Sequence, residues 1–433
     1  MTQRIHRRDL LKSAAAVGTG LFLGGAPATA PAAANEKINL AFVGIGGRGR
    51  ANLNSLHRVG ENVVALCDVD DVRAGKAYQQ HGKARKFKDF RRMFDAMEKQ
   101  IDAVVVSTPD HTHFHPSMTA LTMGKHLYCE KPMAHSIWEV RQMTELARRQ
   151  KVATQLGVQR HTISNVHRVV ELVKAGTIGT IKEVHSWIGG NRGMPKVPAQ
   201  RPEVPAHLDW DLWQGPVASR PYHPTYCPYG WRFWWDYGTG ETGNWGCHIL
   251  DIPFWALDLD HPDHVSASGP PVHGLTTPRS MATHLRFPAR GQRPEVLLHW
   301  YHAARGPEIL RQHGLSPKGA NTLFVGSDGM LLCGFGMRKL LPESRFADAK
   351  PVSKSIPDSP GFYREWTAAI RGGRPATCHF DYSGPLTETV LLGNVAYRAG
   401  GKGFAWDHRT LGVSGNSRAG ELIKPTFRTG WQV

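Results

Sequence analysis

The chain has 433 residues, 41% of them hydrophobic, with 46 glycines and 53 basic against 36 acidic side chains, a formal net charge of +17. That is globular material for two domains of about 150–250 residues each, and beyond the N-terminus no run approaches the roughly 20 apolar residues of a membrane span. The positive charge is dispersed without a dense Lys/Arg run, so it reads as a basic solvated surface with a mild attraction for anionic sugars, and nucleic acid is not expected as a partner.

His6-Arg7-Arg8-Asp9-Leu10-Leu11-Lys12 precedes an apolar segment from Ala14 to Leu23 and a small-residue box, Ala32-Ala33-Ala34, before Asn35. Residues 1–34 look like a twin-arginine (Tat) signal peptide, which predicts the Tat export machinery as a partner, a periplasmic or otherwise exported location, and no membrane span after processing. Such signals mark proteins that fold before export, so a cofactor can be loaded in the cytoplasm. The six cysteines are scattered without CxxC spacing, which predicts packed, mostly reduced thiols rather than a disulfide scaffold.

The stretch from Ile38 to Gly49 reads INLAFVGIGGRG. A buried strand ends in Gly44-Ile45-Gly46-Gly47-Arg48-Gly49, and Ala51, Leu53, Leu56 and Val59 then recur at helical spacing. Three glycines serve three ends: a tight turn at Gly44, close approach of backbone to pyrophosphate at Gly46, and close helix-to-strand packing at Gly49. A second apolar strand ends at Asp68, roughly 20 residues on, where a carboxylate can bind ribose hydroxyls. An acid there favours NAD over NADP, while Arg73 nearby leaves NADP open.

Further strands are predicted at Ala103 to Ser107, His126 to Cys129 and Val152 to Gly157, with amphipathic helices between them. This is a doubly wound, Rossmann-type domain with a parallel sheet over residues 35–158. Cofactors sit beyond the carboxyl ends of such strands, so Ser107-Thr108-Pro109-Asp110-His111-Thr112-His113 and Cys129-Glu130-Lys131-Pro132 are the segments to read. Pro132 forces an extended exit and aims Lys131 at the nicotinamide crevice.

Gly44-x-Gly46-x-x-Gly49, Thr108-Pro109 with His113, Gly124-Lys125-His126 and above all Glu130-Lys131-Pro132 resemble the glucose-fructose oxidoreductase and inositol dehydrogenase family (Gfo/Idh/MocA). The resemblance implies an NAD(P)-dependent oxidoreductase of sugars, cyclitols or small carbonyl compounds. Its cofactor-binding residues here would be Gly44, Ile45, Gly46, Arg48, Gly49, Asp68, Thr108, Pro109, His113, Glu130 and Lys131. A lysine beside the nicotinamide ring should have a depressed pKa and can hold the proton of the hydroxyl that loses hydride.

From Gln159 the pattern changes. A helix from Asn165 to Lys174 leads into a strand at Ile181 to Ile188, and alternating segments follow at Met281 to Phe287, Glu295 to His302 and Asn321 to Val325. Residues 159–433 are thus expected to form an α+β domain with a large, mostly antiparallel sheet. The family implies that this sheet is open-faced, pairs subunits into a homo-oligomer, and takes a late helix back to the domain interface. Helical patterns at Phe362 to Arg371 and Pro385 to Arg398 are candidates for that helix.

An insertion from Met194 to Tyr237 carries Trp210, Trp213, Tyr222, Tyr226, Tyr229, Trp231, Phe233, Trp234, Trp235 and Tyr237. Aromatic faces pack on the C–H faces of sugars, so a saccharide cleft and a hydrophobic staple both fit. Then a helix running to about Leu257 places Asn244 and His248 on one face. They match the family's DxxxH motif, whose acid and histidine meet the reacting hydroxyl beside Lys131, except that Asn244 replaces the usual aspartate. An amide cannot take a proton, which makes His248 the leading acid/base.

The catalytic candidates are Lys131, His248 and Asn244; the substrate-binding candidates are Arg160, Asn244, His248, Trp231 and Trp235. No metal is assigned. A set of His248, Asp251 and a histidine such as His185 has no spacing signature, and His111, His113 and His115 form an HxHxH series in which the resemblance implies that His113 is part of the cofactor-side loop. The expected activity is hydride transfer between a sugar, cyclitol or glycoside carbon and a tightly bound nicotinamide. A redox-neutral hydrolase or lyase acting through a transient keto-sugar is the alternative enzyme, and a non-catalytic carbohydrate-binding scaffold the alternative of another class.

Overall fold

The computed structural model describes residues 37–303 and 306–432. The signal peptide expected over residues 1–34 lies outside them.

Strands apolar on both faces need cover on both, and β1 (Asn39–Val43), β2 (Asn62–Cys67) and β4 (Ala103–Val106) get it from flanking helices. With β3 (Arg85–Phe87), β5 (His126–Cys129) and β6 (Thr154–Leu156) they form a six-stranded, wholly parallel sheet in the order β3-β2-β1-β4-β5-β6. β1 and β4 sit side by side although two strands separate them in sequence. The order reverses there, and such a switch point opens a crevice at the strands' carboxyl ends.

The second sheet has nine strands in the order β13-β12-β11-β7-β10-β9-β8-β14-β15. They are β7 (Ile181–Ile188), β8 (His264–Ser268), β9 (Met281–Phe287), β10 (Val296–His302), β11 (Thr322–Gly326), β12 (Met330–Cys333), β13 (Arg338–Leu341), β14 (Phe404–Asp407) and β15 (Gly412–Ser414). Only β7 and β10 pair in parallel; the other ladders are antiparallel, as expected of this half.

The helix Phe380–Arg398 joins the two halves. A Cβ on Gly384 would fall 2.5 Å from Thr144 Oγ1 in the helix Ile137–Gln150, and one on Gly393 would fall 2.7 Å from Thr283 Oγ1 of β9. Two glycines thus let one helix approach both. It begins a turn before Pro385, which proline's preference for the first helical position hides from a sequence reading. The single helix expected up to Leu257 is two, Gly240–Ile249 and Asp251–Ala256.

All six cysteines are buried and free, and among the described residues no helix is long and apolar enough to cross a membrane. Several buried histidines are held neutral. Burial pushes His111 down to about 3 and His115 and His302 to about 4. An unfolded histidine takes its proton near pH 6.5, so the stability these rings contribute is full above that pH and is lost as pH falls below it. At pH 5 the loss is at most about 2 kcal/mol per ring. Thermal melting is therefore expected to drop by several degrees between pH 7.5 and pH 5, and a flat melting temperature across that range would contradict this burial.

Candidate active site

A cavity of about 600 Å³ opens at the switch point, from the glycine loop to the helix Gly240–Ile249. At its nucleotide end Gly44 has φ 81°, and a Cβ there would fall 2.8 Å from the Ser107 carbonyl carbon and the Thr108 nitrogen. A Cβ on Gly49 would fall 1.9 Å from the Gly44 carbonyl oxygen, so helix and strand touch only because both residues are glycine. The helix Arg48–Val59 starts after Gly47 with no side-chain cap; the Gly49 amide donates to the Gly46 carbonyl oxygen (2.9 Å), and the positive end of the helix borders the cavity, where an anion is favoured.

Asp68 is half-buried at the end of β2. Its carboxylate accepts from the Ile45 amide (2.8 Å) and the Asp70 amide (3.0 Å), tying strand end to glycine loop. Burial pushes its pKa up while those two amides oppose the shift. The Arg73 side chain lies over Gly46. Asp68 and Arg73 both line the cavity, so the acid and the base relevant to a ribose or its phosphate share one wall.

At the other end the exits of β4 and β5 are clamped together. Both His113 ring nitrogens face carbonyl oxygens at 2.8 Å, those of Thr108 and Pro132. Glu130 is buried and accepts from Asn52 (2.9 Å), Gln159 (2.7 Å) and Tyr128 (3.2 Å). Tyr363 in turn donates to Asn52 (2.8 Å). A carboxylate so fully used is a fixed support for its neighbour Lys131.

Lys131 Nζ donates to the Asn244 backbone oxygen (2.7 Å) and to its side-chain Oδ1 (3.2 Å). Burial lowers the pKa of Lys131, against the opposing pull of Glu130 and Asp110. Asn244 Nδ2 donates to Glu241 (3.1 Å), which settles which end of the amide faces the lysine. Glu241 is fully buried and paired with Arg192. The missing aspartate thus has a local explanation: a carboxylate at 244 would confront Glu241, whereas an amide bonds to both charged neighbours.

His248 lines the cavity with its Nδ1 buried and without a partner among the described residues. Burial, reinforced by the charges of Lys131, Arg160 and Arg48, holds it well below the ordinary histidine range. It is a neutral imidazole able to exchange hydrogen bonds with a hydroxyl. Arg160 stands over the rings of Phe335 (4.3 Å) and Trp245 (5.3 Å).

The cavity gathers Gly44, Gly46, Arg48, Asp68, Thr108, Pro109, His113, Glu130, Lys131, Arg160, Trp231, Asn244 and His248. Ile45 and Gly49 act behind its wall, Ile45 through the hydrogen bond its backbone N–H donates to Asp68 and Gly49 through packing. Trp235 does not line it: its ring is buried beside Arg398 (5.0 Å) and its Nε1 donates to the His273 carbonyl oxygen (3.2 Å). Most rings of the insertion, from Trp210 to Tyr237, form a separate small core, so the staple reading describes them.

Asp251 is held by His161 (2.9 Å) and Tyr382 (2.6 Å), whereas His185 lies by Glu183 (3.1 Å), so the set of His248, Asp251 and His185 does not assemble. His111 and His115 face other backbone carbonyls. The sequence reading missed Glu241, Gln159, Arg232 and Trp431, all but the first of which line the cavity. Of these only Glu241 had a signal, its i, i+3 spacing to Asn244 on one helix face.

A crevice at the reversal of a six-stranded parallel sheet, with a glycine cradle at one end, places the chain among the doubly wound dinucleotide-binding proteins. Residues 38–158 match the family model "Oxidoreductase family, NAD-binding Rossmann fold", and residues 164–274 match the same family's C-terminal alpha/beta domain. The two spans together exceed half the chain. It belongs to the Gfo/Idh/MocA oxidoreductase family, and residues 38–158 are its NAD-binding Rossmann fold.

Among curated relatives, inositol 2-dehydrogenase of Rubrobacter xylanophilus is 33% identical over 160 residues, 35% of this chain and 44% of the relative. A glycosyl hydrolase family 109 protein of Solibacter usitatus is 30% identical over 205 residues, 41% of this chain and 44% of the relative. The chain thus matches less than half the length of each. Among solved structures, the WlbA dehydrogenase of Bordetella pertussis in complex with NADH and UDP-GlcNAcA has a TM-score of 0.62 at 16% identity, covering 86% of this chain and 99% of its own. The inositol dehydrogenase homologue of Azotobacter vinelandii, complexed with NADH and myo-inositol, has a TM-score of 0.55 at 16% identity, covering 86% and 98%. At that identity these likenesses speak for the fold alone.

Proposed function

We propose that the chain is an exported, homo-oligomeric NAD-dependent oxidoreductase that oxidises a hydroxyl carbon of a sugar, cyclitol or glycoside. The observation that carries this reading is Lys131 Nζ held on Asn244 (2.7 and 3.2 Å) inside the cavity that the glycine loop enters. The cradle fits a dinucleotide, since any side chain at Gly44 or Gly49 would collide with backbone, and bound NAD would supply the hydride acceptor.

The chain's own residues then have separate tasks. Lys131, its charge disfavoured by burial, takes the proton of the reacting hydroxyl. His248 and the remaining hydrogen-bonding capacity of Asn244 hold neighbouring hydroxyls, and Glu241 keeps the amide oriented. Trp231 and Arg160 wall the sugar end. Because free NAD is scarce outside the cytoplasm, the nucleotide is held tightly and regenerated in place.

A panel of sugars, cyclitols and glycosides added to the NAD-loaded chain tests the proposal. At least one should raise the near-ultraviolet absorbance of reduced nicotinamide; none doing so, with no product formed, contradicts it. Similarity to the family 109 glycosyl hydrolase favours a second reading, redox-neutral cleavage through a transient keto-sugar. Release of an aglycone without an aldonate or lactone would select that version.

A further inference from the structure

The second sheet has two unlike faces. One packs on the helices: Trp300 of β10 donates to Thr242 Oγ1 (3.2 Å), and Thr283 of β9 meets Gly393 of the long helix. Side chains alternate along a strand, so the neighbours of these residues point the other way. His299 of β10 is in register with His185 of β7 on one side and His284 of β9 on the other, which sets three imidazoles in a row across that outward face. Glu183 stands two residues before His185 and Tyr301 two after His299, on the same face.

Glu183 Oε1 lies 3.1 Å from His185 Nε2 and 3.2 Å from His299 Nε2, and one ligand atom from each of the three lies within 4.8 Å of the others. Ligands bound at about 2.0–2.1 Å with tetrahedral angles are themselves about 3.3 Å apart. His185 Nε2 is buried and faces the Glu183 carboxylate without a well-aligned hydrogen bond to it. A cation between the three would satisfy it.

The surrounding contacts match what a metal needs of its histidines. His185 Nδ1 lies 3.2 Å from the Tyr301 hydroxyl, and His299 Nδ1 lies 2.7 Å from His284 Nδ1. With protons on the Nδ1 atoms, each imidazole donates to its outer partner and turns an Nε2 lone pair inward, the arrangement that orients ligating histidines.

We propose that Glu183, His185 and His299 bind a divalent transition-metal ion of the zinc type on the outward face of β7 and β10, with a water completing the site. Two imidazoles and one carboxylate suit zinc; magnesium and calcium prefer all-oxygen sets. The site lies on the opposite face from the helices that bear Asn244 and His248, and stands or falls independently of the oxidoreductase reading.

Metal analysis of the full chain, stripped with a chelator and then given zinc chloride alone, tests it. The expected result is about one zinc per chain and a higher melting temperature with zinc. Glu183→Gln, His185→Gln and His299→Gln should each abolish both effects, while His313→Gln, a change at an exposed histidine elsewhere, leaves them intact. His284→Gln should weaken affinity 10–100-fold. Since a variant could fail to fold, cobalt on the parent chain is a second reading: visible bands that zinc displaces support the site. Zinc not bound by the parent, or bound equally by His185→Gln and His299→Gln, overturns the proposal.

Discussion

Lys131→Ala should lower turnover of the best sugar or cyclitol by about 10²–10⁴-fold, the range set by loss of a positioned acid–base group. Nucleotide binding should survive, because the cradle of Gly44, Gly46 and Gly49 and the Asp68 carboxylate lie at the other end of the cavity. Lys131→Arg should not rescue, since a guanidinium stays charged and cannot take the hydroxyl proton. The pH profile follows from the sign of the shift. Burial lowers the Lys131 pKa, and only the neutral amine accepts a proton, so oxidation should rise with pH and level off below the ordinary lysine range. His248, held well below its usual value, should add no inflection near neutrality. A Lys131→Ala chain within threefold of the parent would remove the lysine from the chemistry.

Gly49→Ala is expected to be the most damaging single methyl group in the nucleotide half. The added Cβ would fall 1.9 Å from the Gly44 carbonyl oxygen and 2.7 Å from its carbon, and these are backbone atoms that cannot swing aside. Overpacking of that kind costs about 1–3 kcal/mol, or roughly 2–4 °C of melting temperature per kcal/mol for a domain of this size. NAD affinity should fall at least about tenfold, because relieving the clash moves the loop that meets the phosphates. Gly75→Ala is the control: its Cβ meets nothing within 4 Å on the helix Asp71–Gln80, so it should be neutral or stabilising by up to about 1 kcal/mol. Melting curves and NAD titrations of both variants check the pair, and equal behaviour would contradict the close helix–strand contact.

The nucleotide half was legible because its constraints are local. The glycines, Asp68 and Lys131 each sit at a fixed offset from an apolar strand, and a buried parallel strand announces itself as an unbroken apolar run. β3 was not legible: Arg-Lys-Phe is a short, largely exposed edge strand held only by pairing with β2. β13, β14 and β15 are short in the same way. In the site, Asn244 and His248 could be read from helical spacing, but the partnership of Asn244 with Lys131 spans a sequence separation of 113 residues.

The aromatic insertion shows another limit. Trp231 and Trp235 look alike in sequence, yet one faces the cavity and the other is buried against Arg398. The histidine row depends on strand register, which a chain read linearly does not display: His185, His284 and His299 meet only because β7, β10 and β9 are neighbours in that order.

The proposed function requires a dinucleotide held between the glycine loop and Lys131. The absorbance spectrum of the purified chain, followed by chromatography of what heat releases from it, tests this. About one nicotinamide nucleotide per chain, NAD in preference to NADP, is expected from the cradle and Asp68. A chain that releases none, and binds neither NAD nor NADP when they are supplied, would contradict it and favour a carbohydrate-binding scaffold.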